Sequence, residues 1–443
     1  MDSFVIHGGQ RLRGRLRVHG AKNAALPLMA AALLTDDPLV LYDVPDLADV
    51  RNMARLLETL GCQVSYEPEG PGRTLSIQAM GQQKCLAHYD IVRTMRASIC
   101  VLGPLLARRG RARVSMPGGC NIGDRPVDLH LRGLRALGAQ IRLEGGYIVA
   151  DTRRLRGTRV FLGGPFGSSV LGTANVMSAA TLAEGTTVIE SAACEPEVVD
   201  LAKMLSAMGA RISGAGSPRI TVEGVDRLGS TEHTIIPDRI EAATYMMAGA
   251  ITNGDIVLDN CPLDALTAVL DRLAEIGVKV EPVEDSPQAA TGDRLRQCVR
   301  VASARRLEPV AVVTQPHPGF PTDLQAQIMA LLTMADGNSI ITEKIFPDRF
   351  LHVAELLRMG AALVRSGPTV LVSGTRHLSG APVMASDLRA SAGLVLAGLA
   401  AQGTTSVNRV YHLDRGYEKM DQVLQSLGAH IERVDQSTLK ELE

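Results

Sequence analysis

Hydrophobic and polar positions recur along this chain in a fixed unit. The pattern apolar-Gly-small-x-apolar stands at Leu60–Val64 (LGCQV), Leu137–Ile141 (LGAQI), Met208–Ile212 (MGARI), Ile276–Val280 (IGVKV), Met359–Leu363 (MGAAL) and Leu427–Ile431 (LGAHI). Before each copy, apolar residues fall at helical spacing, as in VDLAKMLSAMG, and the glycine suits the left-handed position that ends a helix ahead of a strand. Upstream in each unit lies a second helix with no polar face: AALPLMAAALL, ASICVLGPLL, TANVMSAATLA, ATYMMAGAI, AQIMALLTM and ASAGLVLAGLAA. Such helices must be buried on every side. Short strands introduced by glycine turns follow, as in EGTTVIES and QGTTSVNRV. The pattern predicts six related units of roughly 70 residues, each with two helices and three to four strands. Units of this length without capping copies point to closed globular domains rather than an open solenoid. The polar stretch Glu284–Gln297 reads as a surface loop within the fourth unit.

Composition narrows the function classes. A chain of 443 residues has room for two to three domains, and 46 basic against 47 acidic residues leave a formal net charge of −1, which does not support bulk attraction to nucleic acid or anionic membrane. Seven Tyr, six Phe and no Trp leave the core to Ala, Leu, Val, Ile and 16 Met, and provide no stacking platform for single-stranded nucleic acid. The seven cysteines are widely spaced and form no C-x-x-C pair, so they read as reduced thiols rather than a disulfide frame or zinc site. The N-terminus MDSFVIHGGQ lacks the features of a signal peptide, and the apolar run Ala24–Leu34 is too short to span a bilayer; a soluble, cytoplasmic protein is expected. No metal-binding spacing, Walker A or dinucleotide motif is present, so neither metal nor cofactor is expected.

Polar residues concentrate where the apolar helices begin: Lys22-Asn23, Arg93 and Arg96, Ser168-Ser169, Asp238-Arg239, Thr322-Asp323, and Asp387 with Arg389. Helix N-termini carry unsatisfied N–H groups and partial positive charge, so several gathered together, with added Lys and Arg, would make an anion site. Taken singly, the Ser, Thr and Asp residues read as N-caps and the Arg residues as solvated ends; the set of four cationic starts beside helices too apolar to face water speaks for the anion site.

Three further segments stand out. Ser115–His130 (SMPGGCNIGDRPVDLH) sets Cys120 in a glycine-rich loop five residues before Arg125, a setting for an exposed thiol whose ionisation a guanidinium would favour. His317–Gln327 (HPGFPTDLQAQ) places Asp323 beside a proline-shaped turn, as for a fixed carboxylate base or an N-cap. Tyr411–Met420 (YHLDRGYEKM) places Asp414 and Arg415 before the last amphipathic helix, as functional groups or as a local ion pair.

With the segments GAKNAALP, TMRAS, PGGCNIGDRPVDLH, LAEGTT, EPEVVD, PDRIE, FPTDLQAQ, DRFLHV, DLRAS and HLDRGYEKM, the chain from about residue 3 to 435 closely resembles the enolpyruvyl transferase family, in the branch that uses UDP-N-acetylglucosamine. The resemblance implies a mixed α/β (α+β) fold: a two-domain inside-out α/β barrel of six βαβαββ repeats, three per domain, around buried parallel helices. It places one domain at residues 22–236 and the other at 1–21 plus 237–443, with the active site in the interdomain cleft. The implied reaction moves the enolpyruvyl group of phosphoenolpyruvate to the 3′-hydroxyl of UDP-N-acetylglucosamine by addition and elimination, releasing phosphate, as the first committed step of peptidoglycan synthesis. No obligate protein partner is implied.

By the same resemblance Cys120 protonates carbon 3 of phosphoenolpyruvate, forms an adduct with it and is the thiol alkylated by fosfomycin. Asp323 takes the proton of the sugar hydroxyl and contacts that hydroxyl. Lys22, Arg125 and Arg415 grip phosphoenolpyruvate, with Arg349 and Arg389 as carboxylate clamps and Asn23 beside them. Asn23, Arg96 and Ile345 match sugar-nucleotide contacts, Arg125, Pro126, Val127, Asp128 and Leu129 match the uridine-binding segment, and Ser168, Ser169 and Val170 lie at the diphosphate. Glu195, Asp238 and Asp387 are supporting residues. One stretch departs from the family pattern: GPFGSSVLGTAN has Gly167 where many members carry a basic residue and Leu171 for the usual Gly, which predicts weaker or shifted diphosphate binding. Two other readings stay open, an enolpyruvyl transferase acting on shikimate 3-phosphate and a catalytically silent nucleotide-sugar binder.

Overall fold

A computed structural model describes residues 2–67, 73–117, 127–284, 292–303 and 306–435. The chain divides into two compact units, one from Met1–His19 with Pro237–Glu443 and one inserted between them, essentially Gly20–Ile236. We call these the terminal and the inserted unit. Each encloses its own hydrophobic core.

Six four-stranded sheets share one strand order. In each, an edge strand lies parallel to its neighbour and two antiparallel strands follow, the arrangement of a βαβαββ repeat. The second repeat shows it plainly: Leu86–Ala87 is parallel to Arg111–Ser115, which is antiparallel to Tyr147–Asp151, which is antiparallel to Gln140–Glu144. Three repeats take a strand from distant chain. The first takes Thr231–Thr234 as its parallel edge, and the chain's own start supplies strands to two sheets of the terminal unit, Asp2–His7 beside Thr404–Asn408 and Arg13–Arg17 beside Asp255–Cys261.

The amphipathic helices Ala48–Thr59, Asp128–Ala136, Pro196–Ala207, Thr267–Ile276, Leu351–Arg358 and Met420–Ser426 each end ahead of a glycine of the repeated pattern. Gly61, Gly138, Gly209, Gly277, Gly360 and Gly428 all have φ between 84° and 107°, a conformation that side chains with a Cβ resist, and a strand starts within one to two residues of each.

The apolar helices lie inside the sheets, as their composition requires. In the terminal unit all thirteen residues of Arg239–Ile251, all eight of Gln325–Leu332, and Leu388–Leu399 of the helix Leu388–Ala400 are buried. In the inserted unit the equivalents are Lys22–Ala31, Leu102–Arg109 and Val170–Ala180. The three helices of the terminal unit pack on one another; in the inserted unit Val170–Ala180 packs on both of the others, and Lys22–Ala31 meets residues 96–101 ahead of Leu102. Glycine permits the closest approaches: a Cβ on Gly103 would lie 2.3 Å from the Asn175 carbonyl oxygen, and one on Gly393 would lie 2.8 Å from that of Ala326. The second apolar segment is not one continuous α-helix. Arg96–Val101 is a 3-10 helix that passes into the α-helix at Leu102. Pro104 falls in the first turn of that α-helix, where a missing N–H costs least.

No helix among the described residues is long and apolar enough to cross a membrane. The loop expected at Glu284–Gln297 joins two strands of the fourth repeat, and residues 285–291 of it lie outside the described residues.

Candidate active site

In the terminal unit the starts of the buried helices carry carboxylates. Asp238 caps Arg239–Ile251, accepting hydrogen bonds from Ile240 N at 2.8 Å and Glu241 N at 3.1 Å. Asp387 caps Leu388–Ala400 in the same way, from Arg389 N at 2.9 Å and Ala390 N at 3.1 Å. Both fulfil the N-cap role that their residue type suggested. Asp323 differs. It lies within the 3-10 turn Thr322–Leu324 that precedes Gln325–Leu332, and its side chain turns to two guanidinium groups instead of to the helix. Arg349 Nη1 donates to Oδ1 at 2.9 Å and Arg389 Nη2 to Oδ2 at 3.2 Å.

Arg389 is only 2% exposed. Burial works against its charge, but Tyr417, Asp323 and Asp238 outweigh that penalty and hold the guanidinium cationic, its pKa above the ordinary value. The Tyr417 ring faces it at 5.4 Å, and the Tyr417 hydroxyl meets Thr244 Oγ1 at 3.0 Å and Gln327 Nε2 at 3.1 Å. One phenol therefore joins all three buried helices of the unit near Asp323. The buried Nη1 of Arg389 has no hydrogen-bond acceptor among the described residues, so this guanidinium retains a donor for an anion.

Arg349 also donates from Nη1 to Thr322 Oγ1 at 3.1 Å, and Thr322 Oγ1 donates to Glu343 Oε2 at 2.9 Å. Ile345 follows two residues after Glu343 in the turn that leads to Arg349. Arg415 ends the 3-10 helix Val410–Arg415, where the burial of His412 and then the charge of Arg415 depress the pKa of His412. Asp414 and Arg415 do not make the local ion pair that their adjacency allowed. The partner of Asp414 is Arg433, at 3.0 and 2.5 Å, because the strand His430–Asp435 presents Arg433 between Asp414 and Asp2.

In the inserted unit the helix starts are cationic or hydroxylic. Lys22, at the first position of Lys22–Ala31, pairs with buried Asp49 at 2.9 Å. Asn23 follows it, half-buried, and Arg96, also half-buried, opens the 3-10 helix before Leu102. Arg93 is an exposed side chain beside Asp90 at 3.7 Å, the solvated end it was read as. Ser169 caps Val170–Ala180 by accepting from Gly172 N at 3.1 Å. Ser168 belongs to a two-stranded ribbon, Gly163–Gly164 with Gly167–Ser168. Gly167 there has φ +101°, so any side chain at this position would be strained, which gives a backbone reason for glycine where a basic residue was expected. Val127 is buried and precedes Asp128 and Leu129 at the start of Asp128–Ala136. Glu195 precedes Pro196–Ala207 and is buried. Cys120, Arg125 and Pro126 lie outside the described residues.

Of the described cysteines, Cys62, Cys100 and Cys298 are pushed by burial to about 11, 12 and 11, and burial also raises Cys194 and Cys261, so these thiols stay protonated at neutral pH.

Sequence reasoning missed Asp49, Glu343, Gln327 and Tyr417. Two of them had a readable signal. Asp49 falls on the apolar stripe of its helix with Val50, Met53, Ala54, Leu56 and Leu57. Glu343 continues the inward parity of Ser339 and Ile341 in the strand Asn338–Thr342. A carboxylate at a core position is held there by partners.

The model of the EPSP synthase (3-phosphoshikimate 1-carboxyvinyltransferase) family matches residues 6–433, and the chain belongs to this family of enolpyruvyl transferases. Within it, the chain is 52% identical to a UDP-N-acetylglucosamine 1-carboxyvinyltransferase of Methylacidiphilum infernorum, over 98% of this chain and 99% of that one. It is 53% identical to the protein of the same name from Anaeromyxobacter sp. (strain Fw109-5), again over 98% and 99%. Among solved structures, the enolpyruvyl transferase NikO from Streptomyces tendae superposes with TM-score 0.86 at 25% identity, covering 98% of this chain and 99% of that one. An EPSP synthase from Acinetobacter baumannii shares the fold, with TM-score 0.74 at 19% identity and 98% and 100% coverage.

Proposed function

We propose that the protein transfers the enolpyruvyl group of phosphoenolpyruvate to the 3′-hydroxyl of UDP-N-acetylglucosamine and releases phosphate, the committing step toward peptidoglycan. The observation that carries this reading is the identity of about half of all residues, over nearly the whole of both chains, with relatives named for that acceptor. Relatives named for the shikimate acceptor share the fold at 19% identity.

The chemistry assigned to the residues follows from their types. Asp323 accepts the proton of the sugar hydroxyl, whose oxygen then bonds to carbon 2 of phosphoenolpyruvate while Cys120 delivers a proton to carbon 3. Loss of a proton from carbon 3 and departure of phosphate from carbon 2 regenerate the double bond. Arg349 and Arg389 each donate a hydrogen bond to Asp323, and the remaining donor of Arg389 suits the substrate carboxylate. Lys22, Asn23, Arg125 and Arg415 are assigned to the rest of phosphoenolpyruvate. Asn23, Arg96, Arg125, Pro126, Val127, Asp128, Leu129, Ser168, Ser169, Val170 and Ile345 are assigned to the nucleotide sugar, with Glu195, Asp238 and Asp387 in support. Fosfomycin is expected to alkylate Cys120.

The test is phosphate release from phosphoenolpyruvate with the nucleotide sugar in the wild type and in Cys120→Ala. Release in the first and loss in the second supports the reading, and equal release in both contradicts it.

A further inference from the structure

Glu343 is 0% exposed and, among the described residues, makes no ion pair with a basic side chain. Four donors hold it instead. Oε1 accepts from Thr314 Oγ1 at 2.7 Å, Ile345 N at 2.8 Å and Phe346 N at 3.0 Å, and Oε2 accepts from Thr322 Oγ1 at 2.9 Å. Thr322 sits between two groups of fixed hydrogen-bond sense. An ionised carboxylate only accepts, and a guanidinium only donates. The single Thr322 proton must therefore point to Glu343, leaving the oxygen's lone pairs to Arg349 Nη1 at 3.1 Å. The same Nη1 reaches Asp323 Oδ1 at 2.9 Å. Glu343 also ties down the turn at Ile345 and Phe346, and Phe346 O accepts from Arg349 N at 2.9 Å.

We propose that Glu343 is a positioning residue for the reaction: by fixing the sense of the Thr322 hydroxyl and the turn before Arg349, it holds Arg349 against Asp323. The proposal rests on the reading of Asp323 as the base. The other charged or titratable groups around this contact are Arg389, which faces Asp323 directly, Asp238 and Tyr417 around Arg389, and His352, which feels both Arg349 and Asp387. None of them changes when Glu343 is replaced by its amide.

The experiment measures phosphate release from phosphoenolpyruvate with UDP-N-acetylglucosamine against pH, using the full chain. In Glu343→Gln an amide NH2 facing Thr322 turns its proton toward Arg349, so kcat is expected to fall about 10- to 100-fold, the range of a charge-assisted hydrogen bond. The acidic limb of the kcat profile is expected to move up by about one pH unit, because a carboxylate that loses a cationic neighbour holds its proton more tightly. Thr322→Val removes the relay hydroxyl while keeping the Glu343 carboxylate and its three other donors, and is expected to move the limb the same way; it decides the matter if Glu343→Gln does not fold. Thr314→Val removes a hydroxyl that bonds Glu343 but neither Arg349 nor Asp323, and is expected to lower the unfolding midpoint with the limb in place. A wild-type limb and kcat in both Glu343→Gln and Thr322→Val overturn the proposal, as does a Thr314→Val limb displaced as far as theirs. Asp323→Asn separates the two levels. If it retains wild-type turnover, the base reading falls and the proposal with it. If it is inactive while Glu343→Gln and Thr322→Val match wild type, only the positioning role is lost.

Discussion

The two units are built on the same repeat and finish their buried helices with opposite chemistry. In the terminal unit the helix starts hold Asp238, Asp323 and Asp387, and cations are brought to Asp323 from elsewhere, by Arg349 and Arg389. In the inserted unit the starts hold Lys22, Arg96 and Ser169, and it is the anion, Asp49, that comes from a neighbouring amphipathic helix. A helix N-terminus accepts either arrangement, since a carboxylate satisfies its N–H groups directly and a cation there must be balanced by a partner. The repeat fixes where polar groups can stand, and the residue chosen at each start fixes what that end can do.

The comparison is broken most severely at Asp323. Asp323→Asn removes the base while keeping the shape, and kcat is expected to fall by about 10²- to 10⁴-fold, the usual worth of a positioned base, with the unfolding midpoint near wild type. A midpoint that falls in step with activity would show a structural carboxylate instead.

The inserted unit predicts a loss of stability. Lys22→Met removes the ammonium that buried Asp49 meets at 2.9 Å and should lower stability in denaturant unfolding, with part of the loss recovered in the double variant Lys22→Met, Asp49→Leu. No recovery would mean that Lys22 contributes packing rather than charge balance.

Helix spacing gives the next effect. Gly103→Ala and Gly393→Ala should each destabilise by about 1–3 kcal/mol, with Gly103→Ala the worse because the added carbon meets a backbone oxygen at shorter range. Equal losses would contradict a tighter crossing in the inserted unit, and reversed ones would locate it in the terminal unit.

A pH dependence of the terminal unit adds a further test. Glu241 lifts His19 from 6.5 to about 9 against the cost of its burial, whereas burial depresses His352 to about 4, aided by Arg349 and opposed by Asp387. His19 contributes stability that is full below pH 6.5 and is lost as pH rises toward 9. His352 contributes stability that is full above pH 6.5 and is lost as pH falls toward 4. The urea midpoint should therefore decline on both sides of pH 6.5, and His19→Gln should flatten the alkaline side alone. An alkaline decline unchanged in that variant would contradict the assignment.

The fold was legible where the chain repeats itself. A left-handed glycine after each amphipathic helix and an all-apolar helix in each unit leave few other arrangements, and both features read directly from residue types. Pro104 was visible as a proline, but the 3-10 stretch ahead of Leu102 was not. The site was legible as a set of helix starts and, through the family resemblance, as named residues. Its wiring was not. That Asp323 meets Arg349 and Arg389, that Asp414 meets Arg433, and that Glu343 lies beneath Thr322 all join residues distant in sequence, and no local pattern encodes such pairs. Gly167 is the reverse case, a departure in sequence that became intelligible once its backbone angle was known.

The most direct test is phosphate release from phosphoenolpyruvate by the full chain, with UDP-N-acetylglucosamine, with shikimate 3-phosphate and with no acceptor. Release with the nucleotide sugar alone, lost in Asp323→Asn, is the predicted result. Release with shikimate 3-phosphate, or none with either acceptor from a folded protein, would contradict it.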